Sequence, residues 1–225
     1  RIYIYLNHPM GDSVKGAAVE RNLEFLSSTF WRNSAALGCQ LDAMSLALHG
    51  ENVDRVFWTM GPGGVGQSLL TTHTHEFFKG VSAFQDTNIY FTDDEMRKQA
   101  ELLYGKIAVT GQEAVEGGLG MRQHLYKKHA TADPVAARLP YSIVTRQLEL
   151  IGWKRLEMNK SLRFEGVSED SFESIMRRGW VVVLLARFLD AKDYASVVNP
   201  ATKGVFLKDP SLKDYLKSKP SLAAT

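Results

Sequence analysis

One stretch constrains this chain more than any other: Val53-Asp-Arg-Val-Phe-Trp-Thr-Met60, then Gly61-Pro-Gly-Gly-Val-Gly-Gln-Ser68, then Leu69 to Gly80. The first part is a short apolar run bounded by turn signals, which predicts a buried strand. The third places Leu69, Leu70, Phe77 and Phe78 at helical spacing. A glycine loop between a strand and a helix lets successive backbone N–H groups turn inward on phosphate oxygens, and the helix N-terminus adds partial positive charge. The loop meets G-x-x-x-x-G-K-[ST] at every fixed position but one, because Gln67 stands where the motif has lysine. Gly61, Gly63, Gly64, Val65, Gly66, Gln67 and Ser68 are the expected phosphate-binding residues, with the Ser68 hydroxyl holding Mg²⁺ through the nucleotide. A turn that joins strand to helix and binds nothing is the alternative.

The flanking sequence alternates in the same way. Residues 14 to 48 carry apolar positions at helical spacing and predict two helices, closed by Gly50. After the loop come a strand at Asn88 to Phe91, a helix at Asp93 to Tyr104 with an acidic first turn, and a strand from Lys106 to Thr110 running into Gly111-Gln112-Glu113. Gly117 to Arg138 reads as a looser, basic stretch. Ile151 to Met158 reads as a strand ending at Asn159, and Trp180 to Leu185 as an apolar strand. Such alternation predicts α/β architecture, a parallel sheet flanked by helices. The expected organisation is an N-terminal helical segment (1–50), a core (51–198) and a solvent-facing C-terminal tail (199–225) with one short helix near Leu212 to Leu216.

Composition excludes several classes. Of 225 residues, 44% are hydrophobic and 23% charged, which is globular rather than disordered or fibrous. A net charge of +2 means that nucleic acid must be met by a local cluster. The single cysteine, Cys39, rules out an internal disulfide or a cysteine zinc site and points to an intracellular rather than secreted protein. No apolar run reaches the ~18 residues of a membrane helix. The chain begins Arg-Ile-Tyr, without a signal-peptide pattern, and reads as a fragment or processed product.

Several residues outside the loop invite chemistry. A phosphoryl-transfer site needs a carboxylate at the end of a neighbouring strand, and Glu113 has that place, with Glu116 second. Asn159 ends a third strand, where it meets a γ-phosphate or a water. Arg178, beside Arg177, precedes an apolar strand, the position of an arginine reaching a neighbour's phosphate. Lys127, Lys128 and Arg138, with Tyr126 and Tyr141 interleaved, form a nucleic-acid-binding candidate or else a solvated basic loop. His73-Thr-His75-Glu76 lacks a second histidine at position 79 and reads as a pair of surface histidines.

Taken in order, Val56 to Ser68, Leu102 to Glu113, Tyr126 to Arg138, Trp153 to Asn159 with Leu162-Arg-Phe164, and Ser171 to Arg178 resemble the motifs of the superfamily 3 helicases, specifically the primase-associated type of phages and poxviruses. The resemblance runs from about Phe25 to near the C-terminus. It implies a P-loop NTPase fold of the ring-forming, AAA+-like type, ATP and Mg²⁺ as cofactors, single-stranded DNA as a partner and a hexameric ring as the assembly. It implies catalytic roles for Glu113, Asn159 and Arg178, and a DNA-contacting hairpin in the Tyr126 to Arg138 segment. The sequence departs from the pattern at Gln67, in the single carboxylate after Gly111-Gln112, and at Lys160-Ser161-Leu162. Two functions follow as expectations: a helicase-type ATPase acting on DNA, or an inactive copy that serves as an interaction subunit of a larger assembly.

Overall fold

A computed structural model describes residues 17–112, 120–138, 143–159 and 163–218. The elements run in the order α1 (Ala17–Thr29), α2 (Ser34–Leu48), β1 (Val56–Met60), α3 (Gln67–Phe77), β2 (Ser82–Gln85), α4 (Asp93–Leu103), β3 (Ala108–Gln112), α5 (Gln123–Ala130), β4 (Val135–Arg138), β5 (Thr145–Leu148), β6 (Trp153–Met158), α6 (Glu169–Arg177), β7 (Gly179–Val183), β8 (Arg187–Leu189), α7 (Ala191–Ala195), β9 (Val205–Leu207) and α8 (Leu212–Leu216). The chain divides into two compact units.

The first unit holds Asp42–Met60 and Val81–Val182. Its centre is a five-stranded sheet in the order β2-β3-β6-β1-β7, with β1, β6, β3 and β2 mutually parallel. The expected parallel sheet flanked by helices is therefore present. Met60 pairs with Met158 and Gln112 with Glu157, so β1, β6 and β3 all end at the same edge. This is the carboxyl edge, where ligands of open α/β sheets bind.

One sheet face is apolar. Val56 and Trp58, Val109, and Leu156 and Met158 pack with Tyr90, Met96, Leu103, Leu125 and Tyr126 in a single core cluster. The helices over it start as their sequences dictate. Thr92 caps α4 by accepting from the Glu95 N–H at 3.1 Å, and Asp93, Asp94 and Glu95 complement the helix dipole. Ser168 caps α6 through the Ser171 N–H.

A chain of polar groups crosses the interior of this unit. Gln85 donates to the Tyr90 hydroxyl (3.0 Å), which in turn lies 2.8 Å from His129 Nδ1. With Gln85 donating, the hydroxyl donates to Nδ1 and the ring proton sits on Nε2. Burial raises the Tyr90 hydroxyl pKa and, with help from Lys154, pushes His129 well below its ordinary value, so both stay neutral. Lys154 is buried on the same strand face and donates to Asn52 Oδ1 and to the Ala130 carbonyl (3.4 Å), the last residue of α5.

The second unit holds 17–41, Gly61–Gly80 and 183–218 of the described residues. Asn33 Oδ1 accepts from the Ala36 N–H at 3.0 Å and starts α2. Gly204 has φ +68°, and a Cβ there would lie 2.4 Å from the Trp31 ring, so only glycine fits. Arg21 of α1 donates to Asp209 Oδ2 (2.7 Å) and Ser211 Oγ (2.9 Å) and lies 4.1 Å over the Tyr215 ring, while the Tyr215 hydroxyl donates to the Ala18 carbonyl.

Local expectations change in four places. Asn88 to Phe91 is not a strand: Asp86 Oδ1 accepts from the Asn88 N–H (2.9 Å) and bends Thr87–Tyr90 into a 3-10 turn, so the strand is the preceding Ser82–Gln85. Part of the basic stretch is a regular helix, α5. The C-terminal stretch is more than a tail with one helix, because β9 pairs in parallel with β8 and Val205, Leu212 and Leu216 are buried. His73 is not a surface residue; it is fully buried with its ring edge-on to Phe25.

Candidate nucleotide site

The glycine loop leaves β1 directly and opens α3. Gly61 is closed in: a Cβ on it would meet Val65 Cγ2 at 2.9 Å and the Leu184 carbonyl at 3.1 Å. Val65 is the buried anchor of the loop, whereas Pro62, Gly63 and Gly64 are exposed. Gly64 and Gly66 have φ of +83° and +90°, a conformation open to glycine and strained for other residues. Phe188 fixes both: its N–H donates to the Gly64 carbonyl (2.9 Å), and its ring is 3.1 Å from where a Gly66 Cβ would stand.

Gly66 is the N-cap of α3, and no side chain caps that end. The first-turn N–H groups therefore face a position that an anion satisfies. The Gly66 carbonyl accepts from Leu69 and Leu70 (3.1 and 3.0 Å), closing the loop into the helix. Ser68 is exposed on that first turn and Gln67 is half-buried.

Beside the helix, within the same unit, lies a cavity of about 580 Å³ lined by Trp31, Leu69, Phe188, Tyr194, Phe206 and Arg21 among others. Aromatic rings form part of its wall, beside serines and charged side chains. Its cations are matched by carboxylates: Arg21 by Asp209, and Lys208, also in the lining, by Asp190 at 3.3 Å. Hydrogen bonds from Ser211 and Arg21 lower the Asp209 pKa and keep it ionised. The cavity thus offers flat apolar surfaces and compensated charge, which suits a neutral planar ring better than a phosphate.

At the carboxyl edge of the sheet, Asn159 is exposed directly after β6. Glu113 would follow the last residue of β3, Gln112, and Glu113 and Glu116 lie outside the described residues, as do Tyr141 and Lys160-Ser161-Leu162. Glu157, which the sequence reading passed over, is buried at this edge. Arg155 donates to its Oε1 at 3.2 Å and Gln112 to its Oε2 at 3.4 Å. The signal was available: Lys154, Arg155 and Glu157 put three charges into one short apolar strand.

The arginine pair divides. Arg178 is half-buried and donates to the Ser174 carbonyl and Oγ (3.2 and 3.0 Å) on its own helix, while its carbonyl accepts from Val56 N–H and the Tyr126 hydroxyl. Arg177 is exposed and donates to Glu173 at 2.6 Å. Of the basic residues, Lys127 and Lys128 are half-buried in the last turn of α5, and Arg138 is exposed at the end of β4 in the antiparallel β4–β5 hairpin. Tyr126 is fully buried against Trp58 and Phe164, so it stacks in the core and is closed to a nucleobase.

No protein-family model matches the sequence, and no curated protein matches it. Solved structures do share the fold. The C-terminal region of NrS-1 in its A-form apo structure superposes with TM-score 0.56 at 14% identity, over 100% of this chain and 48% of that one. The JCV helicase superposes with TM-score 0.55 at 12% identity, over 91% of this chain and 52% of that one. The chain spans about half the length of these structures. The fold is helicase-like.

Proposed function

We propose that this chain is a nucleotide-binding, helicase-like domain that acts on DNA and hydrolyses ATP weakly or not at all. The observation that carries the reading is the loop. Gly61 is walled in, Gly64 and Gly66 hold positive φ, and α3 starts without a side-chain cap. A loop in which Gly64 and Gly66 hold positive φ lets successive backbone N–H groups turn toward phosphate oxygens. Gly61 to Ser68 take the phosphates, and the aromatic cavity beside Leu69 takes the base. The residues present fit Mg²⁺ only together with a nucleotide. Ser68 offers a hydroxyl, and no group of three or more His, Cys, Asp or Glu among the described residues gathers to hold an ion alone.

Gln67 removes one full charge from the neighbourhood of the β- and γ-phosphates. A charge-assisted hydrogen bond contributes about 1.5–3 kcal/mol against about 1 for a neutral one, so ATP binding falls by roughly tenfold. Turnover falls further, because charge accumulates in the transition state. Glu113 and Asn159 act on the attacking water and γ-phosphate, Arg178 or its exposed neighbour Arg177 on an adjacent subunit of a hexameric ring, and Lys127, Lys128 and Arg138 on single-stranded DNA.

Gln67 favours a second reading, in which the domain is an interaction subunit for protein partners in a larger assembly. Thermal unfolding of the unaltered chain with and without Mg²⁺-ATP separates the two. Saturation at about 100 times Kd stabilises a folded binder by about 2.7 kcal/mol. No shift at millimolar ATP leaves the interaction subunit standing.

A further inference from the structure

The glycine loop and the cavity beside it share one side chain, and both lie in the second unit. Phe188 of β8 donates its N–H to the Gly64 carbonyl at 2.9 Å, and its ring stands 3.1 Å from where a Cβ on Gly66 would lie. Thr29 of α1 closes the other side of Gly66, with Oγ1 3.4 Å from the same point, so this glycine is clamped between α1 and β8. The Phe188 ring also lines the cavity, where it packs beside Phe206 of β9 with centroids 5.6 Å apart and planes 30° from parallel.

The element that carries Phe188 is weak by itself. β8 and β9 form a two-stranded parallel sheet with three residues in each strand. So small a parallel pair gains little from its own hydrogen bonds and depends on what packs against its side chains. A planar base in the cavity adds apolar contact to Phe188 and Phe206 and so orders β8. That order passes to Gly64 through a hydrogen bond and to Gly66 through ring contact. Two glycines with the widest choice of backbone conformations are then held at φ +83° and +90°.

We infer that Phe188 is a positioning residue that couples the two halves of the nucleotide site: a base stacked on its ring holds Gly64 and Gly66 in the shape that receives the phosphates. The inference rests on the nucleotide-binding reading above. Base and phosphates then bind cooperatively rather than independently, and by linkage the effect is reciprocal, so that phosphate in the loop tightens the hold on the base.

The test splits the nucleotide into its parts. Mg²⁺-pyrophosphate is titrated into the unaltered chain with and without saturating adenosine, and into Phe188→Leu in the same way, with Mg²⁺-ATP as the joined ligand. Expected in the unaltered chain is a gain in pyrophosphate affinity of about 5-fold or more on adding adenosine, the lower end of ordinary coupling between two sites. In Phe188→Leu the gain disappears. A side chain that only keeps the loop folded would instead weaken pyrophosphate equally with and without adenosine. Binding of Mg²⁺-ATP by the unaltered chain without any such gain overturns the inference and leaves the nucleotide reading intact, as does an equal gain in Phe188→Leu. No binding of Mg²⁺-ATP by the unaltered chain overturns both. Should Phe188→Leu fail to fold, Phe206→Leu keeps Phe188 and removes the ring beside it; a smaller gain is expected there, and an undiminished one overturns the inference.

Discussion

The strand β6 carries buried charge on both faces, and the two faces differ in how that charge is held. Lys154 lies toward the amino edge, among Leu156, Met158 and the core beneath α5. It donates to the Ala130 carbonyl and to Asn52, which itself donates to the same carbonyl at 3.3 Å. Arg155 and Glu157 lie toward the carboxyl edge beside the Trp153 ring, where Arg155 donates to Glu157 and Gln112 donates to its other oxygen. Lys154 thus joins a hydrogen-bond network that links β6 to the end of α5. Arg155 and Glu157 instead form a buried charge pair. The contrast lets the two kinds of buried charge be separated by mutation within one strand.

The largest effect is expected from Glu157→Ala. It leaves Arg155 charged and buried without its carboxylate and should destabilise by about 3–5 kcal/mol, read from denaturant unfolding. A loss under 1 kcal/mol would mean that water reaches Arg155, and the contrast between the faces would fail.

Lys154→Met tests the other face. Burial lowers the Lys154 pKa from 10.5 to about 7, although Asp54 pulls it upward. Between those values the unfolded chain holds more protons than the folded one, so stability rises as pH increases from about 7 to about 10.5. Replacement by methionine should flatten this rise, read from denaturant unfolding across that pH range. An unchanged pH profile would remove Lys154 as its cause.

Gly66→Ala addresses the loop. At φ +90° and with the Phe188 ring 3.1 Å from the added Cβ, it should cost about 1–2 kcal/mol and abolish the ATP-dependent shift in unfolding temperature. A retained shift would show that the loop's backbone is not what holds the phosphates. The smallest effect on stability, within about 0.5 kcal/mol, is expected from Lys127→Ala with Lys128→Ala. Binding to single-stranded DNA should weaken and its log–log salt slope flatten by roughly one unit per lost contact. An unchanged slope would make these lysines a solvated face.

What was legible in the sequence follows the same division. The loop between β1 and α3 could be read because glycine at 61, 64 and 66 answers backbone demands that no other residue meets. The strands leading to Glu113 and Asn159 could be read from their apolar runs, and with them the parallel sheet. The 3-10 turn at Thr87–Tyr90 could not, since Ile89 and Tyr90 look like strand residues until Asp86 is seen to bend the chain. Tyr126 and His73 looked like surface groups because polar atoms were counted without their buried partners and neighbours. Glu157 was hidden for a related reason: its meaning depends on Gln112, 45 positions away in sequence and adjacent only across the sheet.

The central claim is that the loop keeps a phosphate-binding shape although its lysine is gone. Titration of Mg²⁺-ATP into the unaltered chain and into Gln67→Lys tests it most directly. The account predicts weak binding by the first, about tenfold tighter binding by the second, and the appearance of hydrolysis with the restored charge. Absence of binding by both would contradict it and reduce Gly61 to Ser68 to a turn between a strand and a helix.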